Sequence, residues 1–340
     1  MTVTGDGALA SLGAERDGSG KRKGERPLRA GAAVTDITPE TGVTLNGLLM
    51  LDGPIQEVLD PLRVRCLVLD DGETRVAIVL CDTCVMSGDL IDKAKTLTHE
   101  RTGLAKDRIL VAATHTHMAP RLMRWFPLNE LDVQYYNLVA RRVAEAVDQA
   151  VTNLAPARIG AGVVAKGDFL VNRRWIRATP GTNPFGEEVD KVAMGSGPVK
   201  NRLIRPAGPI DPDLTVLSVQ HADGRPLALL GNYAAHYGAM KRKVASADYF
   251  GLFCERVARL ISAESIDPPF VGMMSNGASA DVSSLRNATV EKATKTLAAE
   301  AVRICRSTEY QDRGVMAMRE SDIELDAVSY THLRAHETRR

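Results

Sequence analysis

The chain has 340 residues, 44% of them hydrophobic and 25% charged, the composition of an ordinary folded protein with room for one or two domains. Forty-three Lys and Arg against 42 Asp and Glu leave a formal charge of +1, so no broad field favours a polyanion and nucleic acid is not expected as a partner. Apolar runs such as Ile109–Ala113 and Val76–Leu80 are far shorter than the roughly 20 residues of a membrane span, which excludes a readable transmembrane segment.

Met1–Ala30 mixes Gly, Ser and charge without the apolar core of a secretory signal. Residues 1–29 read as a disordered lead-in, and with no signal visible the default compartment is cytoplasmic. From Leu62 short β-rich apolar runs alternate with amphipathic stretches, the pattern of an α/β protein with mixed β-sheets layered against α-helices. Strands are expected at Arg63–Leu69, Val76–Cys81, Arg108–Ala113, Ala157–Val164, Thr215–Gln220, Leu227–Asn232 and Phe270–Met274. Helices are expected at Asp89–Thr102, Asp132–Asn153, Tyr249–Ile261 and Val290–Cys305. Asp71-Gly72 and Asp223-Gly224, each between two apolar runs, predict two hairpins. Thr179–Pro209, rich in Gly, Pro and Asn, reads as a long loop that could cover an active site. No internal repeat is visible, which argues against solenoids and propellers.

Five cysteines are too few and odd in number for a disulfide framework. Cys81-Asp82-Thr83-Cys84 has the spacing of a redox pair but ends an apolar strand, so it reads as buried thiols. Ser329–Arg340 breaks the style of the rest and reads as a non-native tail. His332 and His336 lie four apart there, but Leu333 stands where a zincin helix needs Glu.

Among the other histidines, His99 and His221 read as solvated. His115 and His117 follow the apolar strand Ile109–Ala113 at spacing two, which in a strand turns both imidazoles to one face; one can then bind a metal while the other orients water or substrate. His236 stands at the mouth of a second strand, so two strand ends each deliver a histidine, either as a metal site assembled from distant segments or as ordinary core and surface residues. The small, polar Ser275–Ser284 segment opens before a helix, so its amides and hydroxyls could face a bound anionic oxygen; a plain polar loop is the alternative.

Taken in order, Ala30–Pro39, Thr114-His115-Thr116-His117, Asn172-Arg173, Asn232–His236, Ser246–Tyr249 and Asn276–Ser283 resemble the successive signatures of the neutral/alkaline ceramidase N-terminal domain. The resemblance runs from about Gly31 to Asp326, so residues 30–326 are expected to be one catalytic domain, incomplete at its end and without the family's immunoglobulin-like domain. It implies a zinc-dependent hydrolase of an amide bond, as in the cleavage of N-acylsphingosine to sphingosine and fatty acid, with a small-molecule amide or lipid as substrate. It further implies His115 and His236 as zinc ligands, His117 and Arg173 as contacts to substrate or developing charge, and Ser283 as nucleophile, the remaining ligands lying in a downstream segment. The chain departs from the family at Met118-Ala119 before Pro120, at Ala280 for Gly and at Ser284 for Pro. A zinc hydrolase of another amide or ester, or a non-catalytic fragment, are the competing expectations.

Overall fold

The computed structural model describes residues 25–45, 53–120, 122–123, 128–182, 185–189, 192–194, 203–239, 241–263, 265 and 267–324. Eight strands form the central sheet: β1 (Arg29–Asp36), β2 (Arg63–Asp70), β3 (Arg75–Cys81), β4 (Ile109–Ala113), β5 (Ala155–Ala165), β6 (Asp213–His221), β7 (Pro226–Tyr233) and β8 (Val271–Asn276). Among the described residues four α-helices accompany them: α1 (Gly88–Thr102), α2 (Glu130–Thr152), α3 (Asp248–Leu260) and α4 (Val290–Ser307). The spatial order is β8-β7-β6-β5-β1-β2-β3-β4. The β3/β4 and β7/β8 pairs are parallel and every other pair is antiparallel. Both predicted hairpins are present, with Gly72 and Gly224 at positive φ in their turns.

The element order repeats. β1-β2-β3-α1-β4-α2 and β5-β6-β7-α3-β8-α4 each read as three antiparallel strands, a helical crossover, a parallel fourth strand and a closing helix. The strands of the two halves pair with each other only over a short stretch, Arg29 with Pro156 and Ala30 with Ala155. There the sheet folds back on itself, so that β8 packs across β1, β2, β3 and β4. Four layers result: α1 and α2, the two half-sheets, and then α3 with α4. Each interface has its own apolar cluster. One lies under α2 and includes Val64, Cys66, Val79, Val139 and Val143; one under α3 and α4 includes Phe250, Phe253, Leu297 and Val302; one between the half-sheets includes Leu67, Leu80, Leu227 and Met273.

Sandwiching explains the strand composition. β2 is covered on both faces and buried at every position from Val64 to Asp70, with the continuous apolar run Cys66–Leu69 and, at Arg65 and Asp70, charges that are paired with Asp82 and Arg75. Helix limits follow local chemistry: Asn129 and Asp132 form a reciprocal capping box at the start of α2, Thr289 accepts the Lys292 amide at the start of α4, and Gly103 ends α1 in the left-handed conformation.

Every strand and helix expected from Arg63 onward is found within two or three residues of its expected limits. Three readings need correction. Of the segment expected to lack order, residues 1–24 lie outside the described residues, but Arg26–Pro27 pairs with Arg313–Gly314 and β1 already begins at Arg29. Thr179–Pro209 is not simply a loop: Val192–Met194 and Leu203–Pro206 flank Arg174–Arg177 in a small antiparallel sheet. His221 is buried, at the end of β6, rather than solvated. Ser329–Arg340, with His332 and His336, lies outside the described residues. Among the described residues no helix is long and apolar enough to cross a membrane.

The closest approach between layers occurs at Gly31 of β1, where an added Cβ would lie 2.0 Å from the Ala150 carbonyl oxygen near the end of α2. Gly31→Ala must therefore push α2 off the sheet, and overpacking of this kind costs about 1–3 kcal/mol. The expected outcome is a lower urea midpoint with an unchanged slope, measured by far-ultraviolet circular dichroism.

Candidate metal centre

The site forms where the C-terminal ends of the two parallel strand pairs face each other across the fold. β3 runs into Asp82-Thr83-Cys84 and β4 into Thr114–His117; β7 runs into Ala234-Ala235-His236, and β8 into Gly277-Ala278-Ser279. Ligand sites favour the carboxyl ends of strands because the chain leaves the sheet there with free side chains and main-chain groups.

His115 adopts φ +74°, a conformation unusual for a residue with a side chain. Its amide donates to the Thr83 carbonyl at 2.9 Å, and its Nδ1 lies 2.8 Å from the Cys84 carbonyl oxygen. A carbonyl can only accept, so Nδ1 carries the proton and Nε2 presents a lone pair. His236 is fixed in the same way by the loop after β8. Its Nδ1 lies 2.8 Å from the Ser279 carbonyl oxygen, its amide donates to Ser283 at 3.2 Å, and its carbonyl accepts from Asn276 Nδ2 at 3.2 Å. The two free Nε2 atoms face each other at 3.2 Å.

His117 completes the cluster, its Nε2 3.3 Å from that of His115. Its ring stacks on Tyr237, centroids 4.3 Å apart and planes 24° from parallel, while its Nδ1 is buried without a protein partner among the described residues. Lone pairs aimed at one another repel unless a cation lies between them. Tetrahedral zinc with bonds of about 2.0–2.1 Å sets its ligand atoms about 3.3 Å apart, so the separations here match a zinc-ligand set. The donor chemistry, with the tautomers of His115 and His236 fixed, therefore fits a metal ion.

Cys84, His115 and His117 also bring donor atoms within 4.8 Å of one another. The Cys84 thiol approaches from the Nδ1 side of His115, at 3.8 Å, where the ring proton is already given to the Cys84 carbonyl. Burial pushes that thiol up to about 12, holding it protonated. The imidazole Nε2 atoms are the better donors, with Cys84 acting through its main chain.

The other residues singled out in the sequence border this cluster. Arg173 donates from its amide to Asp281 O at 2.7 Å and from Nη2 to Ala280 O at 2.6 Å, which ties it to the loop that wraps His236. Its charge reaches the imidazoles and helps hold His117 and His236 neutral. Ser283 is buried; its amide donates to Val171 O and its hydroxyl to Ser284 O at 2.8 Å, so no imidazole receives the hydroxyl proton here. His99, on α1, turns its Nδ1 to the Leu104 carbonyl, away from the site. The Cys84 and Ser279 carbonyls and the Tyr237 ring escaped sequence reasoning. Two of the three contribute main-chain atoms that any residue type could supply.

No protein-family model matches the chain, and no curated protein matches it in sequence. Solved structures do match. A crystal structure of neutral ceramidase from Pseudomonas aeruginosa is 18% identical with a TM-score of 0.62, over 86% of this chain and 46% of that one. The fold is ceramidase-like. A ceramidase complexed with C2 gives the same identity and TM-score over 86% and 45% of the two chains. The present chain thus spans about half the length of these neighbours.

Burial, then the neighbouring His115, His236 and Arg173, pushes His117 down to about 3 from an ordinary value near 6.5. Between those values the unfolded chain binds a proton that the folded chain refuses, so this stabilising contribution is complete above pH 6.5 and is lost as the pH falls below it. The metal-free protein is expected to lose urea resistance between pH 7 and pH 5, and His117→Gln to flatten that slope, both read from denaturation midpoints.

Proposed function

We propose that this chain is the zinc-binding catalytic part of an amide hydrolase of the ceramidase type, residues 30–326 forming the catalytic domain. The observation that carries the reading is the meeting of His115 and His236 Nε2 atoms, each with its proton locked on Nδ1 by a carbonyl. His115 and His236 hold the ion, with His117 beside them to contact it or the substrate. Bound zinc supplies Lewis acidity toward an amide carbonyl. In this reading Arg173, anchored on Ala280 and Asp281, stabilises negative charge developing on the carbonyl oxygen. The Ser275–Ser284 loop surrounds this region with small residues that let an acyl chain approach. Ser283 becomes a nucleophile only if its hydroxyl leaves the Ser284 carbonyl; otherwise a water takes that role.

The support for amide chemistry is the fold shared with two ceramidase structures and the ordered motifs on the site's own loops. In this reading the substrate is an N-acyl amide with an apolar chain.

Metal analysis of the purified chain is expected to give about one zinc per molecule, lost in the His115→Ala, His236→Ala double variant. Arg173→Met is expected to keep the metal and lower kcat on an N-acyl amide about 10²–10³-fold, as loss of an oxyanion donor does. Ser283→Ala separates the nucleophiles, abolishing turnover only if the serine attacks. Zinc bound without hydrolysis of short- or long-chain amides would defeat the hydrolase reading and leave a metal-binding domain.

A further inference from the structure

We propose that the Ser246-Ala247-Asp248 turn positions the metal centre by clamping the two histidine-bearing loops to each other, with Asp248 as the principal positioning residue. The inference rests on the metal-centre reading above and concerns side chains that do not touch the ion.

The turn holds one loop on each side. Toward the first, Thr116 Oγ1 donates to the Ser246 carbonyl at 2.8 Å and the Ser246 amide donates to the Met118 carbonyl at 2.8 Å, so both neighbours of His117 are tied to one residue. Toward the second, the Gly238 amide donates to Asp248 Oδ2 at 2.6 Å and the Ala239 amide to Asp248 Oδ1 at 3.0 Å, gripping the chain just after His236 and Tyr237. These loops come from opposite halves of the repeated fold, and the turn bridges them.

The clamp is itself braced. Asp60 accepts from Ser246 Oγ at 2.5 Å and from the Ala247 amide at 2.6 Å, and Ser246 Oγ accepts from the Asp248 amide at 2.9 Å. Asp248 is buried and takes φ +56°, a conformation that in a non-glycine residue persists only where its surroundings enforce it. At Gly238 an added Cβ would lie 2.4 Å from Asp248 Oδ1, so the loop approaches the carboxylate as closely as main chain permits. The same carboxylate meets the Tyr249 amide at the start of α3. Helix capping alone would need one of its oxygens; joining Gly238 and Ala239 uses both.

That division of labour makes the proposal testable. Asp248→Asn keeps the shape but sets an NH2 group against one of the two loop amides, releasing one side of the grip. Cobalt titration of the metal-free chain, with the absorption of bound cobalt and chelator competition as readouts, should show affinity about 10- to 100-fold weaker and an altered spectrum, the usual scale for groups that orient ligands. Ser246→Ala, which removes the hydroxyl shared by Asp60 and Asp248, should shift both readouts in the same direction. Tyr310→Phe removes the Tyr310–Ser218 hydrogen bond of 2.8 Å at β6, lowering stability without moving either readout. Wild-type affinity and spectrum in Asp248→Asn, or an equal change in Tyr310→Phe, overturns the proposal while leaving the metal centre standing. Should Asp248→Asn fail to fold, Ser246→Ala decides by the same criterion. A wild-type chain that binds neither cobalt nor zinc removes both the metal reading and the clamp built on it.

Discussion

Two carbonyl oxygens, those of Cys84 and Ser279, determine what the imidazoles of His115 and His236 can do. By taking the Nδ1 protons of His115 and His236 they leave both Nε2 lone pairs aimed into one small volume. Without those bonds each ring could swap tautomer or rotate, and the histidines would be interchangeable with any buried pair. With them the site is organised before a ligand arrives, which is where much of the affinity of a metal centre originates. The carbonyls are reliable because each sits at a strand end that the sheet holds: Cys84 lies three residues past β3, Ser279 three past β8.

The repeated fold makes those strand ends converge. Cys81 of β3 is in register with Ala113 of β4, and Tyr233 of β7 with Asn276 of β8, so each half ends its parallel pair in matched fashion. Cys84 and His236 then occupy equivalent places, the third residue beyond the third strand of their halves. One accepts at its carbonyl from a histidine of its own half, and the other is itself the histidine. A two-layer sheet closed by helices on both sides can bring such ends together without either half possessing a site alone, because the bend at Arg29 and Ala30 turns one half over the other.

This geometry also explains how much could be read beforehand. Strands and helices from Arg63 onward were legible because burial on one or two faces writes itself into apolar periodicity. β1 was not, since half of Arg29–Asp36 is Gly and Ala: its small residues serve the close approach of α2 rather than filling space, and Gly31 is the extreme case. The repeat escaped notice because it lives in element order, and the halves differ in loop content, notably in the small sheet built on Arg174–Arg177. At the site, the histidine types and their spacing were visible at His115, His117 and His236. Their tautomers were not, because main-chain acceptors leave no trace in side-chain identity.

Strain is spent unevenly across the molecule. Among the described residues, six of the ten buried side-chain polar atoms without a protein partner belong to Asp82, Thr83, Thr114, His117, Arg173 and Asn276, all on segments that enter the site. His115 and Asp248 add two of the five non-glycine residues at positive φ. Nearby, Arg65 and Asp82 form an ion pair of 2.5 Å that is shut off from water, with the Asp82 carboxylate also accepting the Arg63 amide. Burial opposes ionisation in both partners; the Asp82 carboxylate more than offsets it for Arg65, while at Asp82 burial still outweighs the attraction of Arg65 and pushes the carboxyl up. A core assembled for stability alone would replace these groups with apolar ones. Their concentration where β3 and β4 deliver the Cys84 carbonyl and His115 is the pattern of a fold that gives up stability to hold a particular arrangement of donors. The layers around it, with their uninterrupted apolar clusters, supply the stability that the site consumes.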